Sequence, residues 1–272
     1  MSHPNIVLVG CGNMGGAMLS GWLRQGIAAE RITVIDPSLP ALPDGVRRVA
    51  EPEAAMDVPA ALILAVKPQK LAEVAGAISA LAAPQTLLLS VLASAEIATL
   101  RRVFPRAGAI VRAVPNLPAA IGHGITALAG EGLSPSHVSL AETLCAPLGP
   151  VEWLAREALC DAATSVSGCG PAFLFRFADA VARAGEAQGL PRAQALRLIA
   201  ETMAGAGAML RAADADPAEM AARVASPGGV TLAGLRVLDE QDALTRLIAD
   251  TLAAAAARSA EMAAETRDAV QG

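Results

Sequence analysis

The sequence predicts an α/β fold in which a sheet of mostly parallel strands, covered by helices, precedes an all-helical domain. Short apolar runs alternate with helical stretches from Ile6 to about Leu154, the pattern of a helix-covered parallel sheet. The first of these runs opens straight into a glycine-rich turn, and beyond about Asp161 no further strand-like run occurs. Strands are expected at 6–9, 31–35, 46–49, 61–66, 86–91, 109–114, 124–129 and 151–154. Between them, 14–25, 69–81, 96–103 and 135–148 read as helices, the last opening on Ser134-Pro135, a cap residue followed by proline at the first helical position. The remainder reads as helices at 171–188 (ended by Gly189), 192–211, 217–224, 231–239 and 242–266, with Asp216-Pro217-Ala218-Glu219 arranged as a capping box.

The turn Gly10-Cys11-Gly12-Asn13-Met14-Gly15 follows the apolar run Ile6-Val7-Leu8-Val9, and its placement says more than its glycines. Gly10 permits a tight turn, Gly12 lets the backbone approach an anion, and Gly15 lets the helix that begins near Met14 pack on its strand. Unpaired N–H groups at the helix start then face negative charge, as a pyrophosphate requires. The helix stops at Gly26, and Arg31-Ile32-Thr33-Val34-Ile35 closes the βαβ unit at Asp36, about 20 residues beyond the last glycine. A carboxylate there accepts from both adenosine ribose hydroxyls and repels a 2′-phosphate, which leans the choice toward NADH over NADPH. Arg47 or Arg48 could still supply a phosphate partner. The expected division is therefore a dinucleotide-binding domain at 1–158 and a helical domain at 159–272.

With 272 residues, 54% of them hydrophobic, the chain can build one large or two modest cores. A net charge of −5 without any basic block argues against nucleic acid and favours a small-molecule substrate. Four cysteines without CxxC spacing and three scattered histidines do not suggest a metal site, so reduced thiols in a cytoplasmic protein are expected. The first strand begins almost at once, without a basic leader and cleavage site, so no export signal is expected. Charges interrupt the alanine-rich stretches at helical intervals, so no membrane span is expected either.

The helical half is rich in small residues, with Ala-Gly-Ala-Gly-Ala at 204–208 and an alanine run at 253–257. Such helices approach closely but bury little area each, and packing against a second copy is the natural remedy, so a homo-oligomer, at least a dimer, is expected. Helix propensity and coding bias are the plainer explanation of the same alanines.

Several motifs carry candidate chemistry. Ala65-Val66-Lys67-Pro68-Gln69 lies at the C-terminal end of a strand, where open α/β sheets bind ligands, and Lys67 could support a cofactor or be a solvated loop charge. Lys67 and Lys70 are the only lysines, so no lysine general acid can come from the helical half. Arg112-Ala113-Val114-Pro115-Asn116-Leu117-Pro118-Ala119 makes a stiff loop suited to holding a nicotinamide ribose or carboxamide near Asn116, although Pro-Asn-Leu-Pro is also a plain turn. His123, between two glycines, is the general-acid candidate if the substrate is a ketone. Ser167-Gly168-Cys169-Gly170-Pro171 reads as a hinge of small residues before a long helix. Ser226-Pro227-Gly228-Gly229-Val230-Thr231 offers backbone amides at a helix start for a carboxylate, with Thr231 adding a hydroxyl; an ordinary helix cap is the alternative.

Taken together these residues resemble the pyrroline-5-carboxylate reductases over essentially the whole chain. The resemblance rests on the 10–15 turn, 65–69, 112–119, the stretch from Asp161 to Ala172, and 226–231. It implies an N-terminal Rossmann domain and a helical dimerisation domain whose long helices interleave between subunits, with dimers often assembling further. It implies NADPH or NADH as cofactor and reduction of pyrroline-5-carboxylate to proline, the last step of proline biosynthesis. The cofactor would lie along Gly10, Gly12, Asn13, Met14 and Gly15, with Asp36, Ala65, Val66, Lys67, Pro68 and Asn116 contributing. The substrate carboxylate would take Ser226, Gly228, Gly229 and Val230, and Thr231 would contact the ring nitrogen as the catalytic hydroxyl.

The chain departs from the family pattern at Val114, Leu117, Cys169, Phe173, Arg223 and Val230, none of which removes a group the chemistry requires. Asp36 departs from members that favour NADPH. A cyclic imine entering as the protonated iminium is already electrophilic, which suits a sequence without a well-placed lysine or histidine. The rival readings are another imine reductase on this scaffold, a ketone or hydroxyacid reductase, which would need His123 as proton donor, and a non-catalytic dinucleotide-binding regulator.

Overall fold

The computed structural model describes residues 4–38, 41–52 and 56–270; the outermost residues of both expected domains, and His3, lie outside these. Eight strands form one sheet: β1 (Ile6–Val9), β2 (Ile32–Ile35), β3 (Arg47–Val49), β4 (Ala61–Leu64), β5 (Leu87–Ser90), β6 (Ala109–Pro115), β7 (Thr126–Glu131) and β8 (Val151–Trp153). Their spatial order is β3-β2-β1-β4-β5-β6-β7-β8. Every pairing is parallel except β6 with β7. The order reverses between β1 and β4, so a crevice opens at the carboxyl ends of those two strands, where doubly wound sheets take their ligands.

Both faces of the sheet are covered, and for that reason its central strands are continuous apolar runs rather than alternating ones. Val7, Val9, Leu62 and Leu64 point to one side, against Leu71 and Ile78 of α2 (Leu71–Ile78) and Leu100 of α3 (Ile97–Val103). Ile6, Leu8 and Ile63 point to the other, against Met18 and Trp22 of α1 (Asn13–Arg24) and Leu144 of α4 (Pro135–Cys145). The indole N–H of fully buried Trp22 donates to the Leu144 carbonyl at 2.8 Å, which satisfies its one polar atom and pins α1 to α4. Helix α4 starts with a capping box, but between Ser134 and His137: the hydroxyl accepts from the His137 amide and the imidazole accepts from the Ser134 amide, both at 3.3 Å. At Asp216 the cap is single, its carboxylate accepting from Ala218 at 2.8 Å, while Glu219 turns to Arg223 at 3.7 Å.

By contacts the chain separates into two compact units, one of residues 4–169 with 254–270, the other of residues 170–253. The separation differs from a single cut at 158/159 in two ways. The first unit retains α5 (Cys160–Ala163) and a π-turn (Thr164–Gly168), and it regains the end of α10 (Ala243–Ala269). That return is held by three polar pairs: Ser94 with Thr266, buried, at 2.7 Å, and, half-buried, Ser259 donating to Asp161 at 2.8 Å and Arg267 donating to Glu96 at 2.7 Å. Asp161 also faces Arg112 of β6 at 3.5 Å, and Arg112 donates to the Ala93 carbonyl at 2.7 Å and to Glu157 at 3.3 Å.

The second unit contains α6 (Gly170–Ala187), α7 (Arg192–Ala212), α8 (Pro217–Arg223), α9 (Val230–Asp239) and the first part of α10. Helices α6 and α7 pack together, and Asp179 of α6 accepts from Arg192 at 2.6 Å. Only Pro171, Ala182 and Ala195 of this unit are buried. Leu174, Phe175, Phe177, Leu198, Met209 and Leu247 all stand at least half exposed.

Candidate functional site

The turn after β1 is positioned by the ends of its two neighbours. Gly10 donates to Ile35 at 2.9 Å and Ala65 donates to Val9 at 2.8 Å, so the three strand ends meet at the turn. Gly10 sits at φ +87°, and a Cβ there would lie 2.7 Å from the Ala65 carbonyl oxygen and 2.9 Å from Val66 Cγ1. Ala65 and Val66 thus shape the turn from below, one residue beyond the end of β4. A Cβ on Gly15 would collide with the Gly10 carbonyl oxygen, which is why the helix can begin so close to the strand.

Gly12 differs from both, since a Cβ on it would meet nothing within 4 Å. It caps α1 without a side chain, and the first helical bond is Gly16 to Gly12 at 2.8 Å. Among the described residues, the amides of Asn13, Met14 and Gly15 therefore have no protein acceptor, and they project from the positive end of the helix. Two glycines fill occupied space and one borders open space, the arrangement that admits a diphosphate to this cradle.

Asp36 follows β2 directly, and its carboxylate is held by three donors. The Cys11 amide reaches Oδ2 at 2.7 Å, while the Ser38 amide and hydroxyl reach Oδ1 at 2.9 and 2.6 Å. Burial pushes the Asp36 carboxyl up, but the bonds from the Ser38 hydroxyl and the Cys11 and Ser38 amides outweigh it and hold the group below the usual carboxylate range. The Cys11 thiol is pushed up by burial and then by the Asp36 charge. A cleft of about 830 Å³ opens here, bordered by Gly10, Gly12, Asp36, Glu51, Lys67 and Lys70 among others.

Lys67 is exposed and caps a short 3₁₀ turn (Pro68–Lys70) in which Pro68 holds the first position. Lys70 is paired with Glu73 at 2.6 Å. Asn116 begins another 3₁₀ turn (Leu117–Ile121), and its side-chain oxygen accepts from the Ile125 amide at 3.1 Å. The loop after β6 is braced by that bond, and the Asn116 NH₂ remains as a donor. His123 is exposed, and among the described residues its imidazole has no hydrogen-bond partner, so nothing orients it as a proton donor.

The expected hinge of small residues from Ser167 is helical on either side of one bend at Cys169, the residue at which the first unit ends. Residues 164–168 form a π-turn between α5 and α6, and the Thr164, Ser165 and Ser167 hydroxyls bond back to Cys160, Ala162 and Ala163 carbonyls at 2.8, 2.8 and 2.9 Å. Hydroxyl back-bonding of this kind loosens the regular helical ladder. The turn packs against β6 within the first unit, where Gly168 faces Val114.

In the second unit, Gly229 donates to Ser226 at 2.9 Å across Pro227 and Gly228, the latter at φ +73°, closing a tight turn. Helix α9 begins at Val230 with Gly229 as a cap lacking a side chain, so the amides of Val230 and Thr231 open the helix. A Cβ at Gly229 would strike the Ser226 hydroxyl, and Val230 is 91% exposed. The structure thus brings together Gly10, Gly12, Asp36, Ala65, Val66 and Lys67 in one unit, and Ser226, Gly228, Gly229, Val230 and Thr231 in the other. Sequence reasoning did not reach Glu51, which borders the cleft without any local motif, nor the role of Arg112, although a charged residue inside the run Ile110-Val111-Arg112-Ala113-Val114 was a usable signal.

A doubly wound sheet with an open glycine cradle at its switch point defines a dinucleotide-binding class of protein. Residues 5–94 match the family described as NADP oxidoreductase, coenzyme F420-dependent, and residues 157–262 match pyrroline-5-carboxylate reductase dimerisation. The chain is 35% identical to the pyrroline-5-carboxylate reductase of Pseudomonas aeruginosa, with 97% of this chain and 98% of that protein covered. It is 32% identical to the enzyme of that name from Synechocystis, covering 92% and 97%. The solved pyrroline-5-carboxylate reductase of Coxiella burnetii superposes with a TM-score of 0.87 at 27% identity, covering 95% of this chain and 98% of that one. The chain belongs to the pyrroline-5-carboxylate reductase family.

Proposed function

We propose that the protein reduces 1-pyrroline-5-carboxylate to L-proline with NAD(P)H, the final step of proline biosynthesis, as a homo-oligomer in the cytoplasm. One observation carries the reading: a chain that matches this family over nearly its whole length has two uncapped helix starts, at Gly12 and Gly229, each preceded by a glycine turn. The first cradle fits a dinucleotide because the space beside Gly12 is open while that beside Gly10 and Gly15 is filled. Gly10, Gly12, Asn13, Met14 and Gly15 would hold the diphosphate, Asp36 the adenosine ribose, Ala65, Val66, Lys67 and Pro68 the adjoining edge, and Asn116 the nicotinamide end through its NH₂. When bound, the reduced nicotinamide supplies a hydride to the imine carbon.

The remaining work is positioning by the protein. Gly228, Gly229 and the Val230 and Thr231 amides receive the substrate carboxylate at the positive end of α9, with the Ser226 hydroxyl beside them. The Thr231 hydroxyl hydrogen-bonds the ring nitrogen and fixes which face of the ring is presented. Because the substrate enters as an iminium, no strong acid is needed, and the unoriented His123 is consistent with that. Binding and orientation then supply most of the rate enhancement.

The homo-oligomer is supported by the second unit, which buries three residues and leaves large apolar side chains in water. The cytoplasmic placement is supported by four free thiols. No helix of the described residues is long and apolar enough to cross a membrane.

The test is oxidation of NADH and NADPH with pyrroline-5-carboxylate, run on the purified chain and on Thr231→Ala. Turnover with the imine falls in the variant while cofactor affinity, read by fluorescence, is unchanged. Equal loss of cofactor affinity removes Thr231 from the substrate side, and no turnover by the native chain with either cofactor ends the reading.

A further inference from the structure

Given that reading, the adenosine end of the cleft decides which cofactor is used. We propose that this chain selects NADH against NADPH, and that Asp36 makes the choice while also bracing the glycine turn. Asp36 is not a side chain waiting to be turned aside: Cys11 holds one carboxylate oxygen at 2.7 Å, and Ser38 holds the other at 2.6 and 2.9 Å. Both oxygens are in place before any ligand arrives, so a 2′-phosphate cannot be accommodated by swinging the carboxylate away without breaking three hydrogen bonds. The Cys11 amide lies between Gly10 and Gly12, so the group that meets the ribose is tied to the turn that receives the diphosphate.

The charges around the cleft act in the same direction. Asp36, Glu51 and Glu73 border it together with Lys67 and Lys70. Lys70 is bound to Glu73 at 2.6 Å, which among the described residues bordering the cleft leaves the two carboxylates of Asp36 and Glu51 against the single ammonium of Lys67. A 2′-phosphate brings nearly two further negative charges, and no arginine is among the described residues bordering the cleft. Arg47 and Arg48, the sequence-level candidates for a phosphate partner, stand in β3 and do not border it. Like charges placed together cost enough to weaken NADPH about 100-fold relative to NADH.

The experiment is direct binding of each cofactor to the full chain without substrate, by calorimetry or by quenching of Trp22 and Trp153, at low ionic strength. NADH binds about 100-fold more tightly than NADPH. Asp36→Asn keeps an oxygen for the Cys11 amide and loses the charge, so it narrows that ratio at least about 10-fold, chiefly by strengthening NADPH. Equal affinities in the native chain, or tighter NADPH, overturn the selectivity and leave the reductase standing. An unchanged ratio in Asp36→Asn overturns the assignment to Asp36. Failure to bind either cofactor overturns the dinucleotide site itself, and the selectivity with it. The native ratio is decisive even where the variant folds poorly.

Discussion

Gly12→Ala and Gly15→Ala are one methyl each, three residues apart, and the structure sends them in opposite directions. At Gly15 the new methyl would lie well inside van der Waals contact of the Gly10 carbonyl oxygen and 3.3 Å from Ala65 Cβ, so the start of α1 must move off the sheet. Overpacking of this kind costs about 1–3 kcal/mol, of which the better helix propensity of alanine returns somewhat under 1 kcal/mol. The net loss of up to about 2 kcal/mol lowers the melting temperature by up to about 8 °C for a unit of this size. At Gly12 the methyl meets nothing within 4 Å, and the backbone at φ −74° and ψ −156° suits alanine, so the free protein is unchanged or slightly more stable. In the proposed site its methyl instead stands where the diphosphate would approach. Losing one or two charge-assisted N–H bonds there, about 2–4 kcal/mol together, weakens the cofactor about 30- to 1,000-fold. Thermal melting and cofactor titration of the two proteins read both effects. A Gly12→Ala protein that binds cofactor like the native chain would refute the cradle, and one that melts early would refute the open space beside it.

Four further outcomes follow from particular contacts. His123→Ala retains turnover within about twofold, because nothing orients that imidazole; a loss of two orders of magnitude would favour the ketone-reductase reading. Arg112→Met leaves the Ala93 carbonyl and the Glu157 and Asp161 carboxylates without their cation, and since both carboxylates keep partial solvent contact the cost is about 2–3 kcal/mol in denaturant melts. Hydrogen exchange then rises first at 254–270, because Asp161 also receives Ser259; uniform exchange would dismiss the clasp. Asp36 has a folded pKa below its unfolded value, so its contribution to stability is full above about pH 4 and is lost as pH falls through the folded pKa. The gap in melting temperature between the native chain and Asp36→Asn accordingly closes on acidification, and a gap constant from pH 7 to pH 2 would contradict this. Phe175→Asp with Phe177→Asp, at side chains 61% and 51% exposed in the single chain, sheds about 1 kcal/mol or more of association per side chain and shifts sedimentation toward the monomer; an unchanged profile would place the interface elsewhere.

The sheet was legible almost strand by strand because a parallel sheet buried on both faces leaves short uninterrupted apolar runs, as in Leu62-Ile63-Leu64 and Leu87-Leu88-Leu89. Glycines that fill tight space, Gly10 and Gly15, were legible for the same reason: only one residue type fits. The segment 164–168 was not. Ser167 read as the start of a hinge of small residues, yet the Thr164, Ser165 and Ser167 hydroxyls each found a carbonyl three or four residues back and the segment stayed helical. The return of α10 to the sheet was equally hidden, since Ser259 and Thr266 reveal their partners Asp161 and Ser94 only once the chain has folded across 98 and 172 positions. At the site, the position of Asp36 could be read from spacing, but its three donors come from turn geometry that spacing does not encode.

In the proposed reaction, loop 226–231 would tie the oligomer to the chemistry. Its turn is closed by one hydrogen bond, from Gly229 to Ser226, and the helix it opens has no buried residue. A turn of that kind frays within the lone chain, because local stability scales with buried apolar contacts and this unit buries three residues. Yet orientation by Thr231 is the main catalytic contribution proposed, and a hydroxyl held loosely orients nothing. Whatever covers the exposed Phe175, Phe177 and Leu198 of this unit adds the buried area that its helices lack, and the second copy of the proposed oligomer is the occupant that the reading supplies.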